Sequence, residues 1–417
     1  MQGFPLTSKI QNGYLESAYV DNRVALKTKI RKQTLYFIFA ETIGMKVGIL
    51  GGGQLGRMLL QAAANYTVTT YVMENDAACP AAHLCHQFVL GDIKKFEDVY
   101  SFGKQLDALT IEIESVNVDA LEQLEKEGVR VIPSAAAIRT IQNKILQKNL
   151  YTEAGIPTAP FVVTERKTDL KQHINILPAA HKLATGGYDG KGVQILNEEK
   201  DLDLAFDAPS VLEKKINIKQ EIAILVACNE AGKTAIYPPA EMIFDQVLNL
   251  LDYQISPAKL EEKVLWKAEA IALKVAKALN SPGLFAIEMF VDPQGEVYVN
   301  ETAPRVHNSG HHTIEANFCS QYDMLWRILL QFPLGNTAPI QPSAMVNLVG
   351  AEGFSGPVFY NGLDKVLEMQ QTFVHLYGKT TTKPGRKMGH VTILSNNYQD
   401  LTQQAHKIKQ LIQVESK

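Results

Sequence analysis

The chain has 417 residues, 46% of them hydrophobic, which exceeds one ordinary core and suits two or three domains. Its formal net charge of −3 gives no global basic field, so nucleic acid lacks electrostatic support as the main partner, although local cation clusters can still bind small anions. Cys79, Cys85, Cys228 and Cys319 are too few for a disulfide framework, no run of about 18 uncharged apolar residues occurs, and no basic region followed by an apolar one opens the chain; a cytoplasmic protein, neither membrane-bound nor secreted, is expected.

Residues 1–44 are mixed in pattern and read as an N-terminal extension outside the fold, with Glu16, Asp21 and Glu41 interrupting the acid-poor composition of an organelle transit peptide. From Met45 short apolar runs alternate with amphipathic stretches. A strand over 46–50, a glycine turn, a helix over about 54–64 and a strand over about 67–73 give βαβ order. Strands near 87–90, 108–113 and 129–132 extend this into an open parallel sheet ending near Pro133, so the first domain is placed at 45–134. A second, over 135–338, opens with a basic helix carrying Asn143 and Lys144, a turn at Gly155-Ile156-Pro157 and the strand Phe161-Val162-Val163. In it a strand ending in Lys182-Leu183-Ala184 leads into Thr185-Gly186-Gly187-Tyr188-Asp189-Gly190-Lys191-Gly192 and then the strand 193–196. A helix over about 258–279 precedes two strands, 284–291 and 296–300, joined at Asp292-Pro293-Gln294-Gly295 as a hairpin. Proline and glycine return between Gln331 and Pro342, before a small unit over 339–417 that ends in a polar helix.

Several motifs carry chemistry, each with a plainer alternative. Gly51-Gly52-Gly53-Gln54-Leu55-Gly56 satisfies GxGxxG after a strand, and Glu74 lies where a ribose-binding acid would; a dinucleotide, another anion and a purely structural turn are all open. The second glycine cluster joins two strands and can act as a flap over a triphosphate, with Lys144 and Lys182 as point charges, or as a simple mobile hairpin. Glu288 and Glu301 interrupt apolar strands; on a hairpin both can face one side and hold Mg²⁺ through oxygen, the alternative being salt bridges. Directly beyond, Pro304-Arg305-Val306-His307-Asn308-Ser309-Gly310-His311-His312 suits a small oxyanion; zinc is disfavoured, since no Cys or acid completes the spacing. Cys79, His83, Cys85 and His86 have the residue types of a metal site without its spacing, and read as helix or loop side chains. Lys383-Pro384-Gly385-Arg386-Lys387-Met388-Gly389-His390 is a basic turn that can clamp phosphate or lie solvated.

In these segments the chain resembles the ATP-grasp enzymes and, within them, the 5-(carboxyamino)imidazole ribonucleotide synthase family of purine biosynthesis, over about 45–417. The resemblance rests on Gly53-Gln54-Leu55-Gly56-Arg57-Met58, the glycine run 185–192, Asn300-Glu301-Thr302-Ala303-Pro304-Arg305-Val306-His307-Asn308-Ser309-Gly310-His311 and Pro384-Gly385-Arg386-Lys387-Met388-Gly389-His390. It implies an α/β ATP-grasp fold with an N-terminal open parallel βαβ (pre-ATP-grasp) domain and a small C-terminal domain. ATP would lie within the central domain, touching Lys144, Lys182, Gly187, Tyr188, Asp189 and Gly190, with Glu213, Lys214, Lys215 and Ile216 towards adenine and Glu221 on the ribose. Glu288 and Glu301 would hold Mg²⁺; many ATP-grasp relatives place Asn where Ala303 stands, so no third ligand is expected there. Gln54, Leu55, Tyr188, Asp189, Lys191, Arg386 and Lys387 would surround 5-aminoimidazole ribonucleotide, and Arg305, His307 and Asn308 would flank bicarbonate and the reacting amine. The implied reaction is ATP-dependent carboxylation through carboxyphosphate, without biotin, in a homodimer. Another ATP-grasp carboxylase or transformylase, and an NAD-dependent dehydrogenase resting on Gly51, Gly53, Gly56 and Glu74, are the alternatives.

Overall fold

Five short strands, each followed by a helix or turn, pair in parallel: β1 (Lys46–Leu50), β2 (Thr69–Glu74), β3 (Gln87–Leu90), β4 (Ala108–Ile111) and β5 (Arg130–Ile132), in the order β3-β2-β1-β4-β5. β1 and β4 are buried along almost their whole length, as expected of parallel strands covered on both faces. The computed structural model describes residues 44–187, 192–244 and 251–417; from Lys46 onward they form one unit. The extension expected over 1–44 thus lies almost wholly outside the described residues, as do Tyr188, Asp189, Gly190 and Lys191.

A small antiparallel sheet follows: β6 (Phe161–Thr164), β7 (Ala179–Leu183), β8 (Val193–Leu196) and β9 (Ser210–Lys214), ordered β6-β9-β7-β8. The glycine run leaves the end of β7 and returns at the start of β8, and Lys182 pairs with Val193 at its base. The basic helix expected around Lys144 is two helices, Ala135–Gln142 and Lys144–Glu153. Asn143 between them is extended, and its side chain accepts from the backbone N–H groups of Ile145 and Leu146, capping the second helix. Lys144 therefore stands at a helix start.

The largest sheet has nine strands: β10 (Gln220–Cys228), β11 (Thr234–Ile236), β12 (Ala240–Phe244), β13 (Leu251–Ser256), β14 (Gly283–Val291), β15 (Val297–Ala303), β16 (Ser343–Val349), β18 (Thr372–Leu376) and β20 (Lys387–Leu394). Its main path is β15-β14-β10-β12-β13-β16-β20-β18, so it runs continuously past residue 338, where the sequence pattern changes. A smaller sheet joins β17 (Gly356–Asn361) to β19 (Thr381–Thr382) and β21 (Gln413–Ser416), so the polar helix Tyr398–Leu411 is followed by a final strand.

The helix Glu262–Leu279 covers one face of β14 and β15, packing its Val264, Ala268, Ile271, Ala272 and Val275 with Phe285, Ile287, Met289, Val291, Val297 and Val299. These are alternate residues of the strands, and the period of two sends Glu288 to the opposite face. Burial of the apolar set fixes the register, since a one-residue slip would turn every side chain over.

Candidate active site

β14 and β15 form the expected hairpin, closed by Asp292, whose Oδ1 accepts from the N–H groups of Gln294 (2.9 Å) and Glu296 (2.8 Å). Glu301 lies inside β15, directly opposite Glu288, and Ala223 of β10 stands opposite Glu288 on its other side. Glu221, two residues before Ala223, shares that face. Three carboxylates thus share the side of the sheet turned away from the helix Glu262–Leu279. Burial, and Glu301 beside it, push the Glu288 carboxyl well above the usual range; Lys144, with Nζ 2.6 Å from Glu301 Oε2, holds Glu301 below it. Burial lifts Glu221 to about 7.

Lys182 reaches the same region from β7, with Nζ 2.8 Å from Asn300 Oδ1 and 3.2 Å from Glu213 Oε2. Lys148 meets that same Glu213 oxygen at 3.1 Å and donates to Thr158 Oγ1 at 2.6 Å. Lys148 and Glu213 are only 2% and 3% exposed. Burial pulls Lys148 down to about 8; burial alone would raise Glu213, but the two lysines outweigh it and the net direction is down. The Glu213 carboxylate is therefore occupied by lysines, so any contact it makes with adenine is left to its backbone or to Oε1, which has no partner. Lys214 and Lys215 lie exposed beyond it, with their N–H groups bonded to Pro160 O and Pro178 O, and Ile216 is half-buried.

At the glycine turn the structure corrects the dinucleotide reading. Glu112, at the end of β4, accepts from Gly53 N (2.7 Å) and Gly56 N (2.6 Å), and Glu74 accepts from Gly52 N (3.0 Å). The anion at this helix N-terminus is the chain's own carboxylate. A Cβ on Gly53 would lie 2.7 Å from Glu112 Oε1, so glycine is needed for this internal contact. Both Glu74 oxygens accept from backbone N–H groups of the chain, Oε2 from Gly52 and Oε1 from Asn75.

A cavity of about 340 Å³ opens between these elements. It is lined by Gln54, Leu55, Lys144, Gly187, Glu301, Arg305, His307, Asn308 and Lys387 among the expected residues, together with Glu112, Glu114, Gln147 and His311. Arg305 Nε is 2.5 Å from Glu114 Oε2, and His307 Nε2 is 3.6 Å from Glu288 Oε1. Lys379 donates to Gln54 Oε1 (2.8 Å) and to Lys387 O (2.7 Å), tying the first sheet's helix to β20. Arg386 turns elsewhere, donating to Thr381 O and Oγ1 at 2.8 and 2.9 Å. Glu112 and Glu114 could have been found by the signal that marked Glu288, acids alternating with Ile111 and Ile113; Lys148 and Lys379 carry no such signal.

The Nδ1 atoms of His307, His311 and His312 face Ser309, Tyr322 and Gln254 respectively. His83 meets Arg57 and His86 meets Thr70. Among the described residues no three His, Cys, Asp or Glu gather as a metal-ligating group, and no helix is long and apolar enough to cross a membrane.

Residues 44–142 match the ribonucleotide synthetase preATP-grasp domain, 149–322 the ATP-grasp domain and 343–404 the phosphoribosylaminoimidazole carboxylase C-terminal domain. The N5-carboxyaminoimidazole ribonucleotide synthase of Bacillus subtilis is 33% identical over 358 residues, covering 84% of this chain and 92% of that protein. The chain belongs to the N5-carboxyaminoimidazole ribonucleotide synthase family. The solved family member of Aspergillus clavatus in complex with ADP and 5-aminoimidazole ribonucleotide superposes with a TM-score of 0.81 at 32% identity, covering 89% of this chain and 99% of that one. The chloroplastic phosphoribosylaminoimidazole carboxylase of Vigna aconitifolia is 35% identical over 84% of this chain, which spans 64% of that longer protein.

Proposed function

We propose that the chain carboxylates the exocyclic amine of 5-aminoimidazole ribonucleotide, joining it to bicarbonate at the expense of ATP, with ADP and phosphate as the other products. The observation that carries this is the opposed Glu288–Glu301 pair beside Lys144 and Lys182, next to a cavity whose wall is Arg305, His307 and Asn308. The Aspergillus clavatus relative, which binds ADP and 5-aminoimidazole ribonucleotide, supports the same pair of ligands here.

The donor set fits Mg²⁺. Two carboxylates on one face, one of them disfavoured as an anion until a cation adjoins it, suit a hard ion that completes its shell with nucleotide oxygens and water. Glu288 and Glu301 would hold it, and bound there it neutralises charge on the transferring phosphoryl group. Lys144 and Lys182 would orient the phosphates, and Glu221 would meet the ribose hydroxyls. Arg305, His307 and Asn308 would hold bicarbonate against the amine. Asn308 is 9% exposed with neither amide atom partnered, as expected of a group that waits for a ligand. The carboxyl group would pass through carboxyphosphate, and the amine loses one proton as the C–N bond forms. Enclosure of the cavity would keep water from that intermediate. Gln54, Leu55 and Lys387 would surround the ribonucleotide, with Lys387 near its phosphate.

The four unpaired cysteines agree with a reducing compartment, and we carry the cytoplasmic, homodimeric reading forward with the function. ADP release measured with purified 5-aminoimidazole ribonucleotide, with and without bicarbonate, tests the proposal. Release that needs both is expected; release indifferent to the ribonucleotide would overturn it.

A further inference from the structure

His311 is 1% exposed, yet its ring forms part of the cavity wall. Its Nδ1 lies 2.9 Å from the Tyr322 hydroxyl and 3.3 Å from Gln321 Nε2. The Gln321 amide cannot turn over, because its Oε1 accepts from His307 N (2.8 Å) while its Nε2 donates to His307 O (2.8 Å). Gln321 Nε2 is therefore a donor, and the Nδ1 it faces is an acceptor. The Tyr322 hydroxyl then donates to the same atom. A neutral imidazole whose Nδ1 accepts carries its proton on Nε2. With Nδ1 committed to the helix Gln321–Leu329, Nε2–H is the group left for the cavity. Gly310 belongs to the arrangement, since a Cβ there would stand 2.4 Å from Gln321 Oε1.

The ring is also held from behind. His390 lies with its centroid 4.8 Å away and itself stacks on His375 at 4.5 Å. Burial, with other cationic or imidazole groups near, keeps the His311 pKa well below the usual histidine range. His307 repeats the pattern, with Ser309 N donating to its Nδ1 at 3.3 Å. Two imidazoles with the same proton placement thus line the cavity together with the unpartnered amide of Asn308.

We propose that His311 is an uncharged hydrogen-bond donor to the small planar oxyanion handled in this cavity, bicarbonate and the acyl phosphate made from it, with Gln321 as the positioning residue that fixes the proton on Nε2. The inference rests on the carboxylation reading above. A neutral imidazole N–H stabilises charge on oxygen without surrendering its proton, which suits an intermediate that protonation would break down.

Two measurements on the full chain test this. ¹⁵N NMR of histidine-labelled protein, with the His311 signal identified by its loss in His311→Gln, is expected to show the Nε2–H tautomer; the Nδ1–H tautomer or an imidazolium at neutral pH overturns the proposal. In kinetics, His311→Phe is expected to lower bicarbonate-dependent ADP release by about 10²–10³-fold, as loss of one preorganised oxyanion donor does. His311→Gln, which returns an N–H near the Nε2 position, should recover part of that rate, with the ATP KM little changed in both. Parent-like turnover in His311→Phe, or no recovery in a folded His311→Gln, overturns it. If the parent itself shows no bicarbonate-dependent turnover with the ribonucleotide, the functional reading fails instead, and the NMR result still decides the tautomer.

Discussion

Glu288 and Glu301 stand directly opposite each other on antiparallel strands, two carboxylates on one face with Lys144 bonded to only the second. Nothing in packing asks for such a pair, because the apolar face of the same hairpin already supplies the contacts that hold it. Glu288→Gln and Glu301→Gln should therefore each abolish nearly all ATP turnover while the far-ultraviolet circular dichroism and the cooperative melt persist. Near-parent ADP formation by either variant at ordinary Mg²⁺ would remove the metal assignment.

Lys148 shares one oxygen of Glu213 with Lys182. With Lys148→Met, Glu213 keeps one cation, and Lys182 should be drawn towards it and away from the nucleotide. The expected result is a rise in the ATP KM of about tenfold or more, with a smaller change for the ribonucleotide. Equal change in both Michaelis constants would mean that the pair serves the fold alone.

The strands and the acids of the hairpin were legible because alternation survives in the sequence: Phe285, Ile287, Met289 and Val291 make Glu288 conspicuous. What joins distant segments was not. Lys148 lies on a polar helix face like many others, and only tertiary packing brings it to Glu213. Arg386 and Lys387 are neighbours of the same charge, yet Arg386, in the turn before β20, goes to Thr381 and Lys387, the first residue of β20, to the cavity. The glycine motif was legible as an anion-binding turn, but a local pattern could not reveal that the anion is Glu112, 59 residues from Gly53.

That internal anion makes a prediction for the first sheet. Glu112→Ala leaves the N–H groups of Gly53 and Gly56 without their acceptor, at about 1–3 kcal/mol for each orphaned donor. Denaturant unfolding should show the loss, and calorimetry on the parent should show no micromolar binding of NAD or NADH. Micromolar NAD binding by the parent would restore the dinucleotide reading.

The basic turn separates two adjacent cations. Lys387→Ala should raise the KM for the ribonucleotide well above its effect on ATP, because a phosphate monoester makes strong charge-assisted contacts. Arg386→Ala should be much milder, since its guanidinium is bound to Thr381. A reversed order of severity would place the clamp on the other side of the strand.

Acid should destabilise this protein before its ordinary carboxylates titrate. His181, His311, His312 and His390 are each 3% exposed or less, and burial lowers the pKa of all four, that of His312 to about 4. When the folded-state pKa of a histidine is lowered, the unfolded chain binds more protons below the ordinary value near 6.5, so the stability is present above that pH and is lost as pH falls through it towards the lowered value. Each such group removes about 1.4 kcal/mol per pH unit within its window. Denaturant midpoints should thus fall between about pH 6.5 and 5, where ordinary aspartates and glutamates are still ionised, with part of the loss offset because Glu221, lifted to about 7, and Glu288, also raised, take up protons in the folded chain first. His181→Gln, in the small sheet away from the cavity, should flatten that slope by one proton's worth; an unchanged slope would mean that His181 titrates normally in the folded chain.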